Sequence, residues 1–472
     1  MFCQHNTHLI LQASLTTVIN TIISSTKRNR SAPHQAEKII ERMEANKDSD
    51  LRPDVVTYTN LIKVWVESGH SRSADRAEEI INFLHRRYDE GYKECKPDTL
   101  VYNVAMNALA KSDKPGSAKR AEALLNRMQD HYYAGDSDLT PTTQSFSTVI
   151  QAYANSKDPK GAIKAEKLLQ TMHDLEESGV GNVSPNTIAY STVILAWRNS
   201  GGRDAGRCVD TLLNKMEQYE KKGLSSLKPN YISYTNAMEA WIGSRQPESL
   251  EKVEAILERM IERYEAGDTE SAPTVTTFNV VMKAIMHSKL PAKHKKAQHL
   301  LDRMKEHGAL IDKRVRPNQI TYNTFFSACA WTSGSAETKA TAFSMVLNAL
   351  IEMQEHNHLR PDLYTWPAIW SACRELLDIK RDMARVNRIF DLTIKSGNVN
   401  EYLWNNLRNI LPAQYLQRKL NTSDDIKQIT VHDLPPEWTC NIKLGRNRQR
   451  GGKGPSKNNK AKVRRNASVS TT

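Results

Sequence analysis

Between Arg52 and Trp65 the apolar residues Tyr58, Leu61, Ile62 and Trp65 fall at i, i+3, i+4 and i+7, the spacing of a helix with one buried face. Pro53 and Asp54 stand just ahead of it, and a small polar residue, Thr59, follows the tyrosine. The arrangement returns along the chain. Pro53, Pro97, Pro141, Pro185, Pro229, Pro273, Pro317 and Pro361 are each 44 residues apart, and five residues after each comes an aromatic: Tyr58, Tyr102, Phe146, Tyr190, Tyr234, Phe278, Tyr322 and Trp366. Eight coincidences at one period identify a tandem repeat.

A second amphipathic segment follows in each unit, as in "AEEIINFL" from Ala77, "AEALLNRM" from Ala121 and "VEAILERM" from Val253. Gly91, Gly135, Gly179, Gly223 and Gly267 sit where this second helix should end in a left-handed C′ residue. Each unit therefore reads as a helical hairpin of roughly 12 and 16 residues that buries its stripe only against the next hairpin. The pattern predicts an all-α solenoid of about eight repeats over residues 53–404. In the seventh unit the second helix is expected to start late, near Val346. "AEKIIERM" from Ala36 is a second-helix signature, so residues 1–52 read as a degenerate or truncated N-terminal repeat. Residues 405–440 read as a C-terminal cap.

Composition narrows the picture. Hydrophobic residues at 39% suffice for folding, and no stretch approaches a membrane span. The cysteines Cys3, Cys95, Cys208, Cys329, Cys373 and Cys440 lie far apart and form neither a CxxC nor a zinc-type cluster, so no metal or cofactor is expected. Ten of the net +13 charges lie in residues 441–472, which hold no acid, leaving only +3 elsewhere. This Gly-, Asn- and Lys/Arg-rich tail, including Arg446, Arg448, Arg450, Lys453, Arg464 and Arg465, is predicted to be disordered and to offer salt-dependent phosphate contacts. A solubilising tail or a nuclear targeting signal is the alternative.

"PDVVTYTNLIKVW", "KPDTLVYNVAMNAL" and "RPNQITYNTFFSAC" resemble the first helix of a pentatricopeptide repeat, and "AEALLNRM" resembles its second. The departure is length, with extra residues between the helices and after the methionine. The resemblance implies a right-handed superhelix that binds single-stranded RNA, one base per repeat. Two side chains would read each base, one following the aromatic and one following the next proline. They pair as Thr59 with Asp98, Asn103 with Thr142, Ser147 with Asn186, Ser191 with Asn230, Thr235 with Thr274, Asn279 with Asn318, and Asn323 with Asp362. The family's preferences give 5′-GYAARYU-3′. Val56, Leu100, Ile188, Ile232 and Ile320, two before the aromatic, would sandwich the bases, while Gln144 and Thr276 break that column.

Each column has a structural alternative. The residues after the prolines are all good N-caps, and capping or base reading accounts for them equally. Capping explains the residue after the aromatic less well, because Asn, Ser and Thr lower helix propensity there. The aliphatics serve either as sandwich or as inter-repeat core. The aromatics are expected to be core, and the serines Ser68, Ser112, Ser156, Ser200, Ser244 and Ser288 to be local caps. Pro367 occupies the reading position of repeat eight and offers no donor or acceptor. Where the family places a phosphate-binding lysine, the column reads Glu67, Lys111, Asn155, Asn199, Gly243, His287, Trp331 and Glu375.

No nucleophile, metal-binding or deaminase constellation appears, so the chain is not expected to be an enzyme. The competing function is a protein-binding scaffold with no base reading. The first 36 residues contain no Asp or Glu and carry Lys27, Arg28 and Arg30, as an organelle transit peptide would. The resemblance implies work on mitochondrial or plastid RNA, with mitochondria preferred, and recruited processing or translation proteins as further partners.

Overall fold

A computed structural model describes residues 31–45, 52–156, 158, 160–179, 182–310, 315–356 and 359–442. They are helical, with no strand among them beyond a single bridge between Thr142 and Asn182. The chain divides into two compact units, Met1–Ala349 and Leu350–Thr472. The signature at Ala36 lies in the helix Ala32–Glu44, which buries Ala36, Ile40 and Met43. The expectations for residues 1–30 and for the basic tail, with Arg446, Arg448, Arg450, Lys453, Arg464 and Arg465, lie outside the described residues.

The first unit is a stack of hairpins. Its first helices are Val55–Glu67, Thr99–Ala110, Thr143–Asn155, Thr187–Ser200, Tyr231–Ser244, Val275–His287 and Gln319–Ala330. The second helices Ser73–Asp89, Ser117–Tyr133, Gly161–Glu177, Ala205–Lys221 and Ser249–Glu265 are each 17 residues long. First helices of adjoining repeats pack on one another, and each second helix packs on its own first helix and on the next one. The aromatic column is core: Tyr102, Phe146 and Tyr234 have no exposed surface. Its hydroxyls are matched by the preceding second helix. Tyr102 Oη lies 2.8 Å from His85 Nε2, Tyr190 Oη lies 2.8 Å from His173 Nε2, and Tyr234 donates to Glu217 Oε1 at 2.7 Å. Where the aromatic is Phe146 or Phe278, the corresponding partners are Gln129 and Ile261, and no hydroxyl needs satisfying.

The extra length of the repeat has a structural use that periodicity alone did not reveal. After the glycine turns at Gly91, Gly135, Gly223 and Gly267 (φ 100°, 98°, 89° and 97°) the chain makes a short 3-10 turn, Lys93–Cys95, Ser137–Leu139, Ser225–Leu227 and Thr269–Ser271. Each turn drives one side chain back into the stack: Cys95, Leu139, Leu227 and Ser271 are all buried, and Val183 and Val315 continue the column. Cys95 Sγ and Ser271 Oγ there face the carbonyls of Pro53 and Pro229, 42 residues back, at 3.8 and 3.3 Å. The serine column caps as expected, Ser68, Ser156, Ser200, Ser244 and Ser288 each donating to the carbonyl three residues earlier.

One boundary is corrected. The seventh second helix does not begin late near Val346; it starts at Ala336 and runs to Glu355. Its buried residues Ala342, Phe343, Val346, Ala349, Leu350 and Met353 follow a shifted phase, so the apolar signature marks its C-terminal half.

The second unit holds Thr365–Leu376, Met383–Lys395, Glu401–Ile410, Ala413–Leu420 and Pro436–Thr439. Its core is aromatic. Trp370 donates to Thr393 Oγ1 at 3.1 Å and Trp404 to the Ile429 carbonyl at 2.7 Å, while Phe390 meets Tyr415 and Trp438 edge to face, both at 5.5 Å. The Val399 amide donates to the Trp438 carbonyl at 2.9 Å, which fastens the last turn onto the helices before it.

Candidate nucleic-acid interface

The N-terminal edge of each first helix is built by the residue after the proline. Asp54, Asp98, Thr142, Asn186, Asn230, Thr274 and Asn318 all sit in extended backbone and accept from the amide three residues on, at 2.8 to 3.3 Å. Asp362 does the same in the second unit, at 2.9 Å. Capping is therefore real in every repeat. It occupies one oxygen of each Asp or Asn, which leaves the other carboxylate oxygen or the amide nitrogen for a second role.

The sandwich column does not lie in the core. Val56, Leu100, Ile188, Ile232 and Ile320 are 48, 50, 67, 44 and 63% exposed. Gln144 and Thr276 are exposed too, so the whole column faces solvent, one residue per repeat. Apart from the exposed Tyr231, the neighbours on either side in sequence are buried or partly so, and no core argument explains an aliphatic at that place in five repeats.

The column after the aromatic is mixed. Thr59 is 2% exposed and donates to the Val55 carbonyl at 2.8 Å, so its presence after Tyr58 is already accounted for internally. Thr235 likewise donates to the Tyr231 carbonyl, at 2.6 Å. Ser147 is half-buried with no side-chain hydrogen bond among the described residues. Ser191 Oγ lies 2.7 Å from Ser233 Oγ, and Asn279 Oδ1 accepts from Thr321 Oγ1 at 2.7 Å. Asn103 Oδ1 and Asn323 Oδ1 are buried with no partner, an arrangement that costs about 1–3 kcal/mol each unless something else satisfies them.

Four of the predicted pairs, Asn103/Thr142, Ser191/Asn230, Thr235/Thr274 and Asn279/Asn318, are brought to the same step between adjoining repeats. Asn279 Nδ2 stands 3.5 Å from Asn318 Oδ1, and one buried hydroxyl joins Ser191 to Asn230, Thr235 to Thr274 and Asn279 to Asn318. Around Asn103 and Thr142 the surface opens into a groove of about 670 Å³, lined also by Asp98, Leu100 and Gln144. Asn323 and Asp362 belong to different units. In the second unit Pro367 lies in the first turn of Thr365–Leu376 and supplies no polar group.

The column matching the family's phosphate lysine is put to other use. Asn155 and Asn199 donate to the Ala110 and Ala154 carbonyls of the preceding repeat at 3.0 and 2.8 Å, and Lys111 faces Glu67 at 3.6 Å. Among the described residues no group of three or more His, Cys, Asp or Glu could hold a metal ion, and no helix is long and apolar enough to cross a membrane.

The pentatricopeptide repeat domain family matches residues 38–112. Comparison with curated proteins gives no match. Among solved structures the chain is similar to the pentatricopeptide repeat protein PPR10 from maize, at 17% identity and a TM-score of 0.46, covering 88% of this chain and 55% of that one. It thus aligns with about half of that protein's length. The family match falls on the first full hairpin and the opening helix of the second, and the proline and aromatic positions of that hairpin return every 44 residues along the chain.

Proposed function

We propose that this protein binds single-stranded RNA along the N-terminal edges of its first helices, one base to each step between repeats. The observation that carries this reading is the solvent-exposed column that is aliphatic in five of the seven repeats of the first unit, each beside a pair of small polar side chains. A flat apolar face plus fixed donors and acceptors is what an unstacked base requires. In the first unit the pairs Thr59/Asp98, Asn103/Thr142, Ser147/Asn186, Ser191/Asn230, Thr235/Thr274 and Asn279/Asn318 would read 5′-GYAARY-3′. With few cations at the phosphate column, affinity from this surface is modest, and the basic tail adds a sequence-blind, salt-dependent part.

Fluorescence anisotropy of the full chain with GCAAGC flanked by uridines, against a scrambled RNA at two salt concentrations, tests this. The expected preference is about tenfold, roughly 1.4 kcal/mol, and it persists at the higher salt. Equal, salt-sensitive binding of both RNAs would confine nucleic-acid contact to the tail and favour a protein scaffold. The acid-free leader with Lys27, Arg28 and Arg30 supports work on organellar, preferably mitochondrial, transcripts. Import of a fluorescent protein carrying residues 1–36 checks that point.

A further inference from the structure

We infer that the third residue of certain first helices is a positioning residue for base recognition, acting through the reading side chain of the repeat before it. This rests on the RNA-binding reading above. Ser233, Thr277 and Thr321 occupy this place in three consecutive repeats, and none has any exposed surface. Each hydroxyl accepts from the amide of its own capping residue, Asn230, Thr274 or Asn318, at 3.4, 3.2 and 3.1 Å. With a lone pair thus engaged, its proton is left to be donated elsewhere.

In the repeat with Thr321 the shorter acceptor is Asn279 Oδ1 at 2.7 Å, against 3.1 Å to Asn318 Oδ1. Committing Oδ1 fixes the carboxamide of Asn279, so it presents its amide N–H groups, one of them toward Asn318 Oδ1 at 3.5 Å. A bare asparagine would rotate freely between a donor face and an acceptor face and would distinguish bases poorly. The buried hydroxyl therefore sets the polarity that the sixth base meets. Ser233 stands in the same relation to Ser191, at 2.7 Å, and Thr277 to Thr235, at 3.3 Å.

Other repeats provide internal contrasts. Val101 and Ala189 carry no hydroxyl, so Thr59 and Ser147 have no such partner. Ser145 lies 3.0 Å from Thr142 Oγ1, yet Asn103 Oδ1 receives nothing. The capping function and the positioning function are thus separable.

The test is a Thr321→Val variant of the full chain, isosteric and without the hydroxyl, with RNAs that differ only at the sixth base. Discrimination of C over A at that base is expected to fall about threefold to tenfold, the effect of one oriented hydrogen bond, with the other five bases unchanged. Thr321→Ser should restore it. Ser145→Ala loses the same type of capping contact and should lower thermal stability comparably without altering discrimination at the second base. Undiminished discrimination in Thr321→Val, with wild type discriminating, overturns the positioning role alone. A wild-type chain that does not distinguish the sixth base overturns the RNA-binding reading and this inference with it.

Discussion

The outer faces of the second helices and the N-terminal edges of the first helices are both polar surfaces repeated every 44 residues, yet they treat their polar groups in opposite ways. On the second helices charge is matched within the stack. Arg120 meets Glu78 at 2.6 Å and Asp75 at 3.0 Å, Lys164 meets Glu122 at 3.6 Å, Lys252 meets Asp210 at 3.6 Å and Lys296 meets Glu254 at 2.7 Å, each bond joining one repeat to its neighbour. The ladder breaks where Cys208 replaces the cation, and there Glu166 instead accepts from Trp197 Nε1 at 3.0 Å. The first-helix edges leave aliphatic side chains in solvent and leave Asn103 Oδ1 buried without a partner. The ion pairs of the second helices tie neighbouring repeats together, while the first-helix edges carry apolar and polar groups that the stack itself does not use.

The largest expected effect lies on the internally satisfied side. Trp241 is 1% exposed, donates to Asp210 Oδ1 at 2.9 Å, and lies so close to Gly206 that a Cβ there would come within 2.4 Å of the ring. Trp241→Ala should cost about 3–5 kcal/mol in denaturant unfolding, and loss of RNA affinity should follow only through unfolding. A pH titration reaches the same interior. Burial, aided by Arg127, lowers the His85 pKa to about 4, which keeps the ring neutral beside the Tyr102 hydroxyl. In the unfolded chain this histidine titrates near its ordinary value, so its contribution is present above about pH 6.5 and is lost as pH falls toward 4. The loss should be on the order of 1–3 kcal/mol and should be absent from a His85→Gln variant measured by thermal denaturation.

Changes on the first-helix edge should leave stability nearly intact and move binding. Asp98→Asn keeps an N-cap and should shift preference at the first base from G to A, about tenfold or roughly 1.4 kcal/mol in competition anisotropy. Ile188→Ser removes a side chain that is 67% exposed; affinity should fall about twofold to fivefold, less than for an aromatic platform, with little change in melting temperature. The smallest effect is expected for Arg120→Ala, about 0.5–1 kcal/mol of stability for a partly exposed pair and no change in base preference. If Ile188→Ser destabilised the fold while Arg120→Ala weakened RNA binding, the contrast between the two surfaces would be wrong.

Much of the fold was legible from the chain. The proline, aromatic and glycine columns gave the period, and the heptad-like spacing after Tyr58 named the buried face residue by residue, because only one face of a short helix can leave water. The 3-10 turn was missed although its buried column, from Cys95 and Leu139 to Leu227, shares the same period; its members differ in chemistry, and a single inward residue in a loop has no helical neighbours to reveal it. The start of the seventh second helix was misread because its buried stripe is rotated relative to the others. At the candidate site the residues could be named in advance, but not their states: burial of Thr59, the back-bonds of Thr59 and Thr235, and the hydroxyl bridge through Thr321 join residues of one turn or of neighbouring repeats in ways that spacing does not encode.

By itself, then, the sequence determined that this is a stack of α-hairpins with one small polar pair at each step and an aliphatic beside it in five repeats, because periodic burial and local capping are nearest-neighbour properties of the chain. Only the tertiary structure decided that the aliphatics remain in solvent, that Asn155 and Asn199 cap the repeat before them and that Thr321 orients Asn279. Those outcomes depend on how the repeats meet, and a hydrogen bond between residues about 40 positions apart exists only once the stack has formed.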